Sequence, residues 1–175
     1  MILLHICCAP CGSASVERVL RDNREVALFF SNSNIFPEEE YNKRLYYTEK
    51  LASFYGITLY HDKYEHERWL DRIKGLEDEP EKGRRCSECF SFSLENTVRK
   101  ADELGIEEIA TTLTISPHKN SKLIIDIAGR HGRIIEYDFK KKDGFRRSIE
   151  LSKELDLYRQ DYCGCEFSMR RGSPF

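Results

Sequence analysis

At 175 residues, with 40% apolar and 33% charged side chains, the chain has the size and make-up of one globular domain, spanning 1–175, that buries its core without covalent staples. No run of 18 or more apolar residues is present, which argues against a membrane-spanning helix. The formal net charge of −2 excludes a molecule that gathers nucleic acid by its overall charge.

In chain order, "ILLHIC" reads as a buried strand. "GSASVERVLRDN" reads as a helix capped by Ser13 or Ser15, with Val16, Val19 and Leu20 on its apolar face. "EVALFFSN" is a second apolar run of the kind that is covered on both faces of a sheet. "FPEEEYNKRLYYTEKLASFYG" is a helix with Pro37 near its start, acids in its first turn and Gly56 at its end. "ITLYHDKY" is a third strand, and residues 64–74 form a short helix. The polar stretch 75–85 is a loop or small insertion. "CSECFSFSLENTVRKADELG" is a helix closed by Gly105, "EEIATTLT" a fourth strand, "HKNSKLIIDIAGRHG" a helix and "RIIEYDF" a fifth strand. A last helix covers about 143–155, and a cysteine-bearing tail runs over 157–175. There is no internal repeat.

Strands alternating with helices predict an α/β fold: a five-stranded, mostly parallel sheet with helices on both faces. Ligands of such sheets bind beyond the carboxyl ends of the strands. The cysteines of "HICCAPCGSAS" (5–15) follow strand one, "NSNIFP" (32–37) follows strand two and "SPHKN" (116–120) follows strand four. These three segments meet at one edge, which is the expected site. The start "MILLHICCAPCG" lacks the basic segment of a signal peptide, so a cytoplasmic protein is expected.

Seven cysteines in a cytosolic chain speak for metal or redox chemistry rather than a disulfide framework, and the odd number agrees. Cys86 and Cys89 form C-x-x-C at a helix start, where the helix end and neighbouring arginines are expected to lower thiol pKa. Cys7 and Cys8 are adjacent at a strand-to-loop turn, where both sulfurs can reach one inorganic core. Four thiolates suit an iron–sulfur cluster or a tetrahedral zinc, and buried structural thiols are a third reading. The adjacent pair fits a cluster more comfortably than a small ion. Cys163-Gly164-Cys165 can close only a strained disulfide, which favours redox work; further metal ligands are the alternative. Cys11 can bind a second metal, resolve a redox intermediate or cap the helix. Basic clusters at Arg84-Arg85, Lys140-Lys141-Lys142, Arg146-Arg147 and Arg170-Arg171 are solvated surface or, gathered, a phosphate grip.

Taken together, "LLHICCAPCG", "NSNIFPEEEYNKR", "GRRCSECF", "TTLTISPHKN" and "LYRQDYCGCEFS" resemble the QueH family, the cobalamin-independent epoxyqueuosine reductases of tRNA queuosine synthesis, from residue 2 to about 168. The resemblance implies a fold similar to the adenine nucleotide α-hydrolase (HUP) type, with cysteines where a glycine-rich phosphate loop would stand. It implies a [4Fe-4S] cluster on Cys7, Cys8, Cys86 and Cys89, and a redox-active disulfide between Cys163 and Cys165. Some members hold an extra iron with an Asp where this chain has Cys11; a second iron here would take Cys11, Cys163 and Cys165, and the disulfide would then be absent. The implied reaction removes the epoxide oxygen of epoxyqueuosine in tRNA as water, using two electrons and two protons. A low-potential donor, ferredoxin or flavodoxin, is implied.

For that reaction Tyr162, Asp161 and His118 are candidate proton donors. Asn32, Asn34, His118, Lys119 and Asn120 stand at the sheet edge to bind sugar or base, and Tyr158 and Arg159 flank the redox pair, where they can stack or grip a splayed nucleotide. His5, inside strand one, reads as a core histidine. Two other functions compete. A nucleotide-dependent sulfur-transfer enzyme of the same fold needs a pyrophosphate loop that "CCAPCGSAS" lacks. A non-catalytic zinc or iron–sulfur module would show no redox transition.

Overall fold

The computed structural model describes residues 1–130 and 132–169. Its elements in chain order are β1 (Ile2–His5), α1 (Ala9–Arg21), β2 (Val26–Phe30), α2 (Glu38–Tyr55), β3 (Leu59–His61), α3 (His66–Arg72), α4 (Arg84–Leu104), β4 (Glu108–Thr111), a 3-10 helix (Thr112–Ile115), α5 (Ser121–Gly129), α6 (Gly144–Glu154) and α7 (Glu166–Met169). The four strands form one parallel sheet in the order β3-β2-β1-β4.

Alternation along each strand sends successive side chains to opposite faces. Ile2, Leu4 and Ile6 join Phe30, Val16, Val19 and Leu51 in one apolar layer, whereas Leu3 and Phe29 join Ile109 and Ala101 in another. Helix α1 packs against α2 and α6, and α4 packs against α5 and α3. Full burial of each such Leu, Ile or Phe contributes about 1.5–3 kcal/mol, so both faces anchor the strands. Helices α2 and α4 end at Gly56 and Gly105 in left-handed conformation.

The sheet has four strands, not the five expected. "RIIEYDF" makes one isolated bridge, Ile109 with Ile134. β4 stops at Thr111 and turns into the 3-10 helix, so little ladder remains to pair with. The Thr114 hydroxyl then draws the segment off the sheet, donating to Tyr137 O at 2.7 Å and accepting from Phe139 N–H at 3.2 Å. The turn itself is fixed by Thr111, whose hydroxyl accepts from Leu113 N–H at 3.2 Å.

Helix α1 starts earlier than expected. Cys8 is its N-cap residue and Pro10 lies in its first turn. Ser13 and Ser15 do not cap it: both lie inside, donating to Pro10 O at 2.8 Å and Cys11 O at 2.9 Å. Cys11 therefore sits three residues past the cap, on the same side as Cys8.

The chain steps from β1 to β2 to β3 in one direction, and β4 lies on the other side of β1. The crevice between the carboxyl ends of β1 and β4 is the switch point where ligands bind in open α/β sheets. No helix among the described residues is long and apolar enough to cross a membrane.

Candidate metal centre and substrate cavity

At that crevice Cys7 follows β1 and Thr112 follows β4. The Thr112 hydroxyl accepts from Cys7 N–H at 3.2 Å and donates to Cys7 Sγ at 3.5 Å. The Cys7 and Cys8 sulfurs are 3.9 Å apart, and the sulfurs of Cys7, Cys8 and Cys11 all lie within 4.8 Å of one another. Hydrogen bonds from Cys11 and then Cys7 hold the Cys8 thiol well below its ordinary pKa range, while Cys7 and Cys8 push Cys11 well above.

The second thiol group comes from α4. Cys86, like Cys7, packs against the apolar cluster that includes Phe90, Leu94 and Leu113. Cys89 lines the same cavity as Cys7 and Cys11. Cys89 and Cys165 also share a small cluster with Trp69 and Phe92. Burial, then the charges of Cys163 and Cys165, raises Cys89 well above its ordinary value and raises Cys86 as well. This reverses the expected lowering: burial outweighs the Arg85 charge, which acts on Cys86 only weakly. All seven cysteines are free thiols in this structure, so Cys163 and Cys165 are not joined.

The tail that carries this pair lies across the start of α2. Phe36 N–H donates to Gly164 O at 2.8 Å, and Arg44, only 2% exposed, donates to Cys163 O at 2.9 Å. Gly164 has a φ of 150°, and a Cβ there would stand 3.2 Å from Asn34 Nδ2, so both backbone and space call for glycine. Gln160 Nε2 donates to Cys8 Sγ at 3.1 Å.

Between these segments lies a cavity of about 290 Å³. Asn34, His118, Lys119, Arg159 and Asp161 line it with Cys163. Burial alone would lower the Lys119 ammonium, but the sulfurs of Cys163, Cys7, Cys11 and Cys8 outweigh it and keep it charged. Arg159 is braced from behind by Ser152 Oγ at 3.0 Å.

Other expected site residues are engaged elsewhere. Asn32 lines the cavity but its amide donates to Ile6 O at 2.9 Å. Asn120 caps α5, accepting from Leu123 N–H at 3.2 Å. Tyr158 donates to Glu40 at 3.0 Å beneath the Lys43 ammonium. The Tyr162 hydroxyl donates to Phe36 O at 2.5 Å, and burial lifts its pKa to about 12. His5 is a buried core histidine, bonded to Thr111 Oγ1 at 2.9 Å and Ser31 O at 3.3 Å, and burial lowers its pKa.

The basic clusters also divide. Arg85 is 3% exposed and donates to Leu76 and Glu77 carbonyls, so it staples the 75–83 loop and cannot grip a backbone. Lys140 donates to Lys119 O at 2.7 Å, and Arg147 is enclosed by Glu17, Glu150 and Glu154. Lys141 and Lys142 are exposed beside Arg18 and Arg21 of α1. Arg170 and Arg171 lie outside the described residues. Arg44, Thr112, Gln160 and Trp69 escaped the sequence reading. Arg44 was signalled only by its spacing four residues after Glu40 on a helix that turns one face to the core.

Solved structures share the fold. The U34-tRNA thiolase NcsA from Methanococcus maripaludis, a structure with its [4Fe-4S] cluster, superposes with a TM-score of 0.60 at 15% identity, covering 96% of this chain and 61% of that one. A predicted subunit of tRNA methyltransferase from Methanocaldococcus jannaschii gives 0.52 at 15% identity, covering 86% and 76%. At the level of sequence, the epoxyqueuosine reductase QueH of Streptococcus pyogenes is 39% identical over 180 residues, spanning 97% of this chain and 70% of that protein. The protein of the same name from Thermotoga maritima is 36% identical, spanning 96% and 90%. The family described as epoxyqueuosine reductase QueH matches residues 2–171. With relatives of this likeness over nearly its whole length, the chain belongs to the epoxyqueuosine reductase QueH family, enzymes that act on tRNA.

Proposed function

We propose that this chain reduces epoxyqueuosine to queuosine in tRNA, with a [4Fe-4S] cluster on Cys7, Cys8, Cys86 and Cys89 and the Cys163–Cys165 pair as a dithiol beside the substrate. The observation that carries the reading is the meeting of thiols from the β1–α1 turn and from α4 at one cavity in the sheet's switch crevice. The residues fit such a group. Their donors are soft thiols, and in the cluster that Cys89 packs against the Trp69 indole N–H is buried without a hydrogen-bond partner.

When bound, the cluster supplies electrons singly from a low-potential donor, ferredoxin or flavodoxin. Removing the epoxide oxygen as water takes two electrons and two protons and leaves an alkene. A dithiol at 163 and 165 can hold two electrons and two protons and become a disulfide. Lys119, charged and facing the cavity, donates a hydrogen bond to the oxygen as it leaves. His118 and Asp161, at the open side, exchange protons with solvent. Asn34 and Arg159 hold the nucleoside, whose base must be splayed out of the anticodon loop to enter. Lys141 and Lys142 grip backbone phosphates. Cys11, beside Cys7 and Cys8, is the ligand available to an additional mononuclear iron.

The test is anaerobic purification with iron, sulfide and zinc analysis and an optical spectrum, followed by incubation with epoxyqueuosine-bearing tRNA and a low-potential reductant. Queuosine formed in step with cluster content is the expected result. A zinc-only protein without a redox transition overturns the reading.

A further inference from the structure

Three of the four sulfurs assigned to the cluster have a hydrogen-bond donor in place. Thr112 Oγ1 donates to Cys7 at 3.5 Å, Gln160 Nε2 to Cys8 at 3.1 Å and the Lys82 backbone N–H to Cys86 at 3.2 Å. The fourth sulfur, Cys89, packs against the cluster of Trp69, Ile73 and Phe92. Trp69 is fully buried among Ile73 and Phe92. Its indole nitrogen has no hydrogen-bond partner among the described residues.

That orphan calls for a reason. A buried tryptophan ordinarily finds an acceptor for its N–H. A purely apolar cluster would accept phenylalanine here and avoid burying an unmatched donor. The acceptor that suits the position is sulfur. Cys89 is the ligand sulfur that packs against the cluster holding this indole. A neutral thiol is a weak acceptor, and a metal-bound thiolate is a strong one.

We propose that the Trp69 indole N–H donates to Cys89 when that sulfur ligates the iron–sulfur centre, completing a set of one donor per ligand sulfur, and that this set raises the centre's reduction potential. The proposal rests on the cluster reading above. The physical basis is charge. The electron gained on reduction increases the negative charge on the sulfurs. A fixed N–H dipole aimed at them therefore stabilises the reduced form more than the oxidised one. Trp69 acts through Cys89, so it is a positioning and tuning residue, not a catalytic one.

Trp69 is the chain's only tryptophan, which permits a clean test. Biosynthetic replacement by benzothienylalanine keeps the bicyclic shape and deletes the N–H. Trp69→Phe deletes it with some loss of volume, and Gln160→Leu removes the donor at Cys8. Each protein is reconstituted anaerobically, its iron and sulfide are counted, and its midpoint potential is measured by titration.

The expected result is full cluster content with the reduction equilibrium weakened about tenfold, which for one electron is about 59 mV toward more negative potential. Gln160→Leu shifts the same way. Unchanged potentials in the Trp69 replacements at full iron content overturn the proposal. A replaced protein that keeps its fold but holds no cluster also overturns it, because the donor tunes a bound centre and does not build it. A wild-type protein that takes up no iron and sulfide overturns the cluster reading itself, before any variant is compared.

Discussion

The guanidinium of Arg44 donates to the carbonyl oxygen of Cys163 at 2.9 Å, joining α2 to the cysteine tail across 119 residues of sequence. The same group pairs with Glu40 at 2.7 Å and reaches Tyr162 O at 3.4 Å. Burial works against its charge, and the Cys8 sulfur and the Glu40 carboxylate outweigh that effect. Arg44→Met leaves Glu40, itself 10% exposed, without its ion-pair partner and with only the Tyr158 hydroxyl donating to it. Breaking a buried pair of this kind costs about 3–5 kcal/mol. Urea unfolding is expected to show that loss, and alkylation of Cys163 and Cys165 is expected to speed up as the tail lifts. Arg44→Lys restores charge but not the planar fork, so an intermediate value is expected. Equal stability in all three proteins removes Arg44 as the clamp.

Cys11 and Cys89 separate two accounts of the thiols. Cys89→Ser and Cys86→Ser are expected to abolish the visible absorption of the reconstituted protein and to lower iron and sulfide together. Cys11→Ser is expected to keep the four-iron signature. A protein that loses its sulfide with Cys11 but retains it without Cys89 reverses the assignment.

The strand and helix order was readable because apolar runs, Gly56 and Gly105 mark it locally, and parallel topology then brings the strand ends to one edge. The thiol groups followed from that convergence. Burial of single charges was not readable. Arg85 reads as half of a basic pair, yet its partners are carbonyls of a folded loop; Arg44 drew no reading of its own, yet it ties Glu40 to a carbonyl far along the chain. The raised thiols of Cys86 and Cys89 follow the same rule, since desolvation depends on neighbours that sequence spacing does not display. The fifth strand failed for a related reason: "RIIEYDF" has the pattern of a strand, but after its single bridge to Ile109 the Thr114 hydroxyl takes the Tyr137 carbonyl and the Phe139 N–H.

Asp62 carries a pH dependence away from the metal centre. Burial raises its pKa, against the Ser31 hydroxyl, which donates to it at 2.5 Å and favours the carboxylate. A carboxyl whose folded pKa lies above its unfolded value stabilises the fold fully at low pH and loses that contribution as pH rises through the folded value. Asp62→Asn is therefore expected to be more stable than the parent at pH 7, with the gap closing below pH about 4. Urea midpoints at both pH values decide it; a constant gap assigns the change to packing.

Lys141 and Lys142 lie exposed near Arg18 and Arg21. The double change to Ala is expected to raise KM for tRNA with little effect on kcat. The slope of binding against salt should fall by about 1 to 2, as two phosphate contacts are lost. An unchanged salt slope moves the RNA path to another face.

Tyr162 and Lys119 are rival hydrogen-bond donors to the leaving oxygen. The tyrosine hydroxyl is directed at the Phe36 carbonyl at 2.5 Å, so its proton is already engaged away from the nucleoside. Lys119 faces the cavity with its charge upheld by four sulfurs. Tyr162→Phe gives up one hydrogen bond, about 1 kcal/mol of stability, and should keep kcat within a few-fold. Lys119→Met keeps the length of the stem and removes the charged donor, and should lower single-turnover kcat by about 10²–10³, the range for losing one preorganised donor to a developing oxyanion. Iron and sulfide content must match the parent in both, so that the rates report stabilisation of the leaving oxygen. If Tyr162→Phe is the slow protein and Lys119→Met the fast one, the tyrosine must swing away from Phe36 once the nucleoside enters, and the roles exchange.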